Sequence, residues 1–195
     1  MPSARCSITS RRRLAAGICL SYAVWGSIGC GEAEPNLHQP GPREATAQLE
    51  PTEGHKALGV VRFASEQKGV SVTAEVSALP GEAHAFHVHE FGICDAPDAS
   101  SAGPHFPFEP PRSPPQKITG NLGELVPDEA GRATYTTAIP TVELRELIGR
   151  SVIVHERSNN ANHPPDGNAG ARIACGVIRA TPALSEEAAE RGDSP

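Results

Sequence analysis

The sequence predicts an all-β fold, an eight-stranded barrel or sandwich, for residues 45–180. Short apolar runs recur about every ten residues and are separated by turn-forming residues. Several runs alternate with a period of two, so that Val70, Val72 and Val76 lie on one face of a strand. Only the segment 142–148 indicates a helical turn. This spacing of short alternating strands is typical of a β-sandwich or barrel.

Eight strands are predicted in order along the chain. Each is an apolar or alternating run of a few residues with turn residues on either side. The predicted strands are Ala45–Glu50, Ala57–Ala64, Val70–Ala78, His84–Glu90, Leu122–Val126, Ala133–Ile139, Ser151–Glu156 and Ile173–Ala180.

The N-terminal segment has the pattern of a secretory signal. Arg11, Arg12 and Arg13 precede an uncharged run over residues 14–29, which is short for a membrane span. The run ends in Ser27-Ile-Gly-Cys30, which resembles a lipobox except that Ser27 stands where an aliphatic residue is usual. We therefore expect residues 1–29 to be a signal peptide of the lipoprotein type and Cys30 to carry lipid. Twin-arginine export and an uncleaved anchor helix are the alternatives.

The remaining chain divides into three parts. Residues 30–44 are polar and rich in Pro and Gly, which predicts a flexible tether. The domain follows over 45–180, and the acidic residues 181–195 predict a disordered tail. The expected location is outside the cytoplasm, as a periplasmic or cell-surface lipoprotein held on a membrane by its lipid.

Net charge and cysteine content limit the functions that are compatible with the sequence. Removing residues 1–29 takes away four arginines and leaves 13 Lys and Arg against 23 Asp and Glu, a net charge of −10. Nucleic-acid binding is disfavoured by this balance. Cys94 and Cys175 then remain besides Cys30, and two cysteines in an exported protein usually form one disulfide. The sequence specifies no oligomeric state.

Histidines supply the first chemical signal. His87 and His89 lie two apart on a predicted strand, so both side chains point to the same side. His-x-His alone is a weak signal, but His105 follows in the next loop and His155 ends another strand. Four neutral imidazoles suit Cu(II), which also leads the affinity order for such ligands.

Three blocks carry a resemblance to a known family. Residues 81–92 (GEAHAFHVHEFG), 149–156 (GRSVIVHE) and 167–178 (GNAGARIACGVI) resemble the copper-binding strand, a later strand and the C-terminal signature of copper/zinc superoxide dismutases. The likeness covers about residues 45–180. It implies a Greek-key barrel with long loops at the metal site, and superoxide as the substrate.

The resemblance also implies roles for individual residues. It makes His105 the ligand that normally bridges copper and zinc, with a proton-linked part in catalysis, and Arg172 the residue that guides superoxide to copper. It pairs Cys94 with Cys175 in a disulfide. The implied copper ligands are His87, His89, His105 and His155.

The loop that should complete the zinc site departs from the family pattern. Residues 106–122 contain five prolines and neither His nor Asp, and Glu109 alone cannot complete a four-coordinate site. Asn159 stands near the position of the aspartate that links the two metal sites in the family. We therefore expect copper as cofactor and no zinc.

Three functions follow as alternatives. The first is disproportionation of superoxide at a single copper without a complete zinc site. The second is an exported Cu(II)-binding or copper-buffering module of the same fold. Cu(I) delivery is disfavoured, because the chain after residue 29 has no Met and its cysteines are expected to pair. The third is a fold that has lost its metal chemistry.

Overall fold

A computed structural model of the chain describes residues 41–110 and 112–182. The predicted signal peptide, the lipid site at Cys30, most of the tether and nearly all of the tail lie outside the described residues and remain predictions. Among the residues described, none belongs to a helix of the length and apolarity needed to cross a membrane.

The prediction of an all-β fold with eight strands is confirmed, and every strand lies within two residues of its predicted bounds. A 3-10 turn at Ser100–Ala102 and one helical turn, α1 at Leu144–Leu147, are the helical elements of the described residues. The strands are β1 Glu44–Pro51, β2 Leu58–Ser65, β3 Val70–Ser77, β4 His84–His89, β5 Asn121–Leu125, β6 Ala133–Ile139, β7 Ser151–His155 and β8 Arg172–Ala180.

The strands form one antiparallel sheet in the order β5-β4-β7-β8-β1-β2-β3-β6. The two outermost strands, β5 and β6, lie against each other, so the sheet curls into a nearly closed barrel. The chain crosses from β3 to β4 and from β6 to β7 rather than joining neighbours throughout, which gives the Greek-key arrangement.

Burial follows the alternation that the sequence shows. On β3, Val70, Val72 and Val76 face the interior, where they pack with Phe63 and Phe86. Each large side chain buried there stabilises the fold by roughly 1.5–3 kcal/mol relative to leaving it in water. The apolar residues thus fill the barrel.

Strands β4 and β7 differ from the rest because all of their residues are buried. Phe86 and Val88 of β4 point into the barrel core, and His87 and His89 alternate with them on the other face. That other face is covered by two long loops, 90–120 and 156–171. The fold therefore places two histidines beneath a cover of loops.

Candidate metal centre

Four histidines come together on the covered face of β4 and β7. The two strands pair antiparallel, which brings His155 at the end of β7 close to His87 and His89 on β4. These three residues and His105 each offer one ring nitrogen, and the four nitrogens all lie within 4.8 Å of one another. This is the only group of three or more His, Cys, Asp or Glu side chains able to hold an ion across residues 41–110 and 112–182.

His105 reaches the cluster from the long loop because both arms of that loop bond to the middle of β4. The Phe106 amide donates to the Val88 carbonyl at 2.8 Å, and the Val88 amide donates to the Gly120 carbonyl at 2.9 Å. An isolated bridge between His89 and His105 continues this pairing. The loop thus adds a short segment, bridged to β4, that carries one more imidazole.

The four imidazoles are held in the neutral form. Burial, reinforced by repulsion between the rings, lowers the pKa of His87 to about 2. Burial likewise lowers the pKa of His89 to about 2 and that of His155 to about 4. The pKa of His105 is also lowered, mainly by burial, although the nearby Pro165 carbonyl opposes the shift. Unprotonated rings keep the lone pairs that a metal ion needs.

Neighbouring groups fix the orientation of three rings. His89 Nδ1 lies 2.9 Å from the Gly103 carbonyl, and His155 Nδ1 lies 3.4 Å from the Gly170 carbonyl. His87 uses Nε2 instead, 2.9 Å from Asn159 Oδ1. A contact from one ring nitrogen to a fixed acceptor leaves the other nitrogen as the ligand.

Two ring nitrogens have no hydrogen-bond partner although they are buried. These are Nδ1 of His87 and Nδ1 of His105. A buried polar atom without a partner is costly, and a bound metal is one way to satisfy it. His87 Nδ1 is the nitrogen opposite the Asn159 contact, so the donor set fits a copper ion bound by nitrogen ligands.

Arg172 begins β8 at the side of the cluster. Its guanidinium donates to the Ala99 carbonyl at 2.6 Å and to the Gly103 carbonyl at 2.8 Å. Burial lowers the pKa of Arg172 from its usual value, but the group stays charged. Its positive charge contributes to the lowered pKa values of His89, His105 and His155. The arginine therefore acts electrostatically on the site.

A cavity of about 960 Å³ opens onto the cluster. Three of the histidines and Arg172 form its floor, and the loops 107–121 and 161–170 form its walls. The walls include many prolines, so the entrance is largely apolar around a cationic floor.

The disulfide between Cys94 and Cys175 is confirmed, with 5.8 Å between the two Cα atoms. Cys175 lies on β8, where it packs with Ala99, Ala102 and Ile153 in a small core separate from the barrel interior. Since Ala99 also holds the guanidinium of Arg172, the disulfide connects the support of that side chain to the barrel.

Beside the cluster, the proline-rich loop presents apolar side chains. Phe106 and Phe108 pack against the barrel core, and the Arg150 guanidinium lies 3.4 Å from the centre of the Phe106 ring. Lys117 and Glu109 form an exposed ion pair, with 3.4 Å between the Lys117 ammonium nitrogen and a carboxylate oxygen of Glu109.

Sequence reasoning did not single out Glu124. Its carboxylate accepts from the side chain and the backbone amide of Asn159, the partner of His87. The available signal was a lone acidic residue on a short strand, next to buried Leu125. A surface glutamate gives the same pattern, so only the three-dimensional structure reveals the contact.

An eight-stranded antiparallel barrel with four converging histidines on its outer face defines a class of β-barrel metalloprotein. The family model for copper/zinc superoxide dismutase matches residues 57–178. The chain belongs to the copper/zinc superoxide dismutase family, an enzyme family.

Known relatives extend this result. The chain is 37% identical to Cu-Zn superoxide dismutase A of Xenopus laevis, over 62% of this chain and 87% of the relative. It is 35% identical to Cu-Zn superoxide dismutase 2 of Brassica juncea, over 69% and 96% of the two chains. A crystal structure of the clock protein EA4 superposes with a TM-score of 0.63 at 31% identity, covering 74% of this chain and 98% of that one.

Proposed function

We propose that the chain disproportionates superoxide to oxygen and hydrogen peroxide at a single copper. The observation that carries the proposal is the convergence of four neutral imidazoles, three of them buried and that of His105 partly buried, beside a fixed arginine at the floor of an open cavity. His87, His89, His105 and His155 would hold the ion. Membership of the superoxide dismutase family supports the reaction.

Copper, when bound, supplies one-electron exchange, by which one superoxide is oxidised to oxygen and a second is reduced and takes up two protons to give hydrogen peroxide. The chain's own groups supply the rest. Arg172 attracts the anion to the cavity floor and holds it there by charge and hydrogen bonding. His105 is the least buried of the four histidines and lines the cavity, so we assign to it the proton exchange with solvent that the reaction requires.

We further propose that the site works without a complete zinc site. The support is chemical, because zinc sites in proteins use three or four His, Cys, Asp or Glu ligands, and of these the loop between Phe106 and Leu122 offers Glu109 alone.

Export and anchoring also belong to the proposal. We propose that residues 1–29 are removed and that Cys30 carries lipid on an exported protein, with more than one acyl chain because a single chain anchors only marginally. Mass spectrometry of the N-terminal peptide from membrane fractions tests this. An acylated Cys30 supports it, and an unmodified Cys30 in membrane-free protein contradicts it.

The copper spectrum during reaction separates catalysis from copper storage. Superoxide added to the Cu(II)-loaded chain should bleach the visible band, which should recover as more superoxide reacts. His89→Ala should lose this cycle because one imidazole and its support at Gly103 are gone. A band that stays unchanged in the presence of superoxide contradicts the dismutase and favours the Cu(II)-buffering module.

A further inference from the structure

A side-chain relay connects strand β5 to the histidine cluster. Asn159 has Oδ1 2.9 Å from His87 Nε2, and its Nδ2 donates to Glu124 Oε1 at 2.6 Å. The same Nδ2 donates to Asn121 Oδ1 at 3.2 Å, and the Asn159 backbone amide donates to Glu124 Oε1 at 3.0 Å. Both hydrogens of the amide group and its oxygen are therefore used.

The carboxylate determines which way the Asn159 amide faces. The oxygen and nitrogen of an amide can exchange places unless their partners distinguish them. An ionised carboxylate only accepts hydrogen bonds, so the NH2 end of Asn159 must face Glu124. Asn121 selects the same orientation, because its Oδ1 already accepts from the Gly123 amide at 3.0 Å and is thereby fixed as the oxygen.

The orientation of Asn159 in turn determines the tautomer of His87. The end of Asn159 that faces the ring must be its carbonyl oxygen, which only accepts. His87 Nε2 must therefore carry the hydrogen, and Nδ1 of the neutral ring keeps its lone pair. Nδ1 is the buried atom without a partner.

The backbone of β5 makes this double contact possible. Residues three apart on a regular strand point to opposite faces, yet Asn121 and Glu124 meet the same amide. The pairing of β4 with β5 shifts register between Phe86 and His87, and Gly123 there has φ +125°. In the described part of the chain, the side chain of Glu124 bonds to Asn159 alone.

We propose that Glu124, assisted by Asn121, is a positioning residue that acts through Asn159 to set His87 as the Nε2–H tautomer, with Nδ1 available to copper. The inference rests on the proposed copper site for its use, but the tautomer itself is a property of the chain. An ionised residue at position 159 would accept from His87 directly. With Asn at this position, Glu124 on β5 supplies the fixed orientation instead.

The test replaces Glu124 with side chains that differ in hydrogen-bonding capacity. Gln can still accept from Asn159, because the Asn159 backbone amide requires an oxygen at the Oε1 position, whereas Met neither accepts nor donates. In copper-free protein labelled with nitrogen-15, two-bond proton–nitrogen correlation NMR should show Nε2–H at His87 for wild type and E124Q. E124M should show the second tautomer as well, and its Cu(II) affinity, measured against a competing chelator, should fall about 10-fold.

A double variant distinguishes this role from simple packing. In E124M/N159D the aspartate presents only acceptor oxygens to His87, so the Nε2–H tautomer and the copper affinity should return without Glu124. E129M is the matched control, because Glu129 is an exposed glutamate beyond the end of β5. It should leave both readouts unchanged.

The proposal is overturned by Nδ1–H at His87 in the copper-free wild type, a result that needs no variant to fold. It is also overturned if E124M keeps the wild-type tautomer and a copper affinity within twofold of wild type, or if N159D restores neither. If the variants show the expected tautomers but the copper-loaded wild type does not consume superoxide, the proposed dismutase function is wrong. The proposal about Glu124 then still holds.

Discussion

At the scale of single residues, the site depends on imidazoles that stay neutral. Burial of His87 and His89 lowers the pKa of each ring to about 2, far below the pH of neutral solution. Each ring can then serve as a ligand at neutral pH without having to release a proton, so protons would compete weakly with a metal ion. Keeping these polar rings buried costs free energy in the folded protein.

The stability of the metal-free chain should therefore depend on acid pH. The folded-state pKa of each ring lies below the unfolded value of 6.5, reaching about 4 for His155 and about 2 for His87 and His89. As pH falls below 6.5, only the unfolded chain takes up these protons, and each ring costs about 1.4 kcal/mol of stability per pH unit. Urea unfolding at pH 7.5 and pH 5 should differ by several kcal/mol. H155Q should reduce the difference, and a pH-independent free energy of unfolding contradicts the lowered pKa values.

Arg172 is the residue whose loss should separate catalysis from binding. Its charge lies at the cavity floor, while the chain after residue 29 carries a net charge of −10. Distant charges are screened beyond a Debye length of about 8 Å, so we expect the local cation to dominate the approach of superoxide. Arg172→Ala should slow superoxide consumption several-fold at unchanged copper content.

Two controls make the Arg172 result specific. Arg179→Ala removes the same charge from an exposed position near the other end of β8 and should leave the rate nearly unchanged. Higher ionic strength should slow the wild type more than R172A. Equal rates for wild type and R172A at low salt would contradict a guiding role for Arg172.

At the scale of elements, the site is built on β4 and β7 where they meet the long loops, and β5 lies beside β4. Gly123 on β5 has φ +125°, and a Cβ there would lie 2.5 Å from the Tyr135 hydroxyl of β6. Tyr135 in turn packs edge-on against Phe86 of β4. A residue without a side chain thus lets β6 close over β5 while β5 carries the relay to His87.

Gly123→Ala should destabilise the fold for two reasons, the left-handed backbone and the clash with Tyr135. The backbone alone costs about 1–3 kcal/mol, and displacement of the tyrosine adds to it. Gly54→Ala is the matched control, because Gly54 has φ +81° with no atom within 4 Å of a Cβ. Thermal unfolding should show a larger loss for G123A than for G54A. A loss equal to that of G54A would show that the strand pair opens easily at this point.

The strands were predictable from sequence because the alternation of Val70, Val72 and Val76 reflects burial on one side of a sheet. The irregular parts were not. The register shift beside His87 has no sequence pattern of its own, since Gly123 between Leu122 and Glu124 is equally typical of a turn. The side chains that fill the barrel show the two-residue alternation of a strand. The side chains that orient the histidines are determined by individual contacts, which leave no repeating pattern in the sequence.

At the scale of the molecule, one covalent link joins the long loop to the last strand. Cys94 and Cys175 are 81 residues apart in sequence, and the enclosed chain includes β5, β6 and β7. The loop that contains Cys94 also contains Ala99 and Gly103, whose carbonyl groups accept hydrogen bonds from Arg172. The disulfide therefore supports both the fold and the cavity floor.

Replacing both cysteines by serine should reduce the free energy of unfolding by about 4 kcal/mol in the chain-entropy account of a loop of this length. Urea unfolding of C94S/C175S against wild type measures the loss. Superoxide consumption should fall together with stability, because the supports of Arg172 become mobile. Wild-type stability in the double variant would contradict a structural role for the link.

The position of the metal cluster could be inferred from sequence because His87, His89, His105 and His155 stand in motifs that resemble a family. Of the support beneath the cluster, Asn159 could be singled out by its place in the family pattern, but Glu124 could not, since it meets Asn159 from a separate strand. Sequence identifies the groups that bind a metal more readily than the groups that hold them in place.

The proposed function requires that one copper, without zinc, suffices for the reaction. The direct measurement loads the purified chain with copper and zinc together, removes the excess, and determines both metals and the rate of superoxide consumption on the same sample. We predict about one copper and little zinc per chain, with a rate per copper well above that of His89→Ala. Stoichiometric zinc beside copper, or full copper with no more consumption than in protein-free buffer, would contradict it.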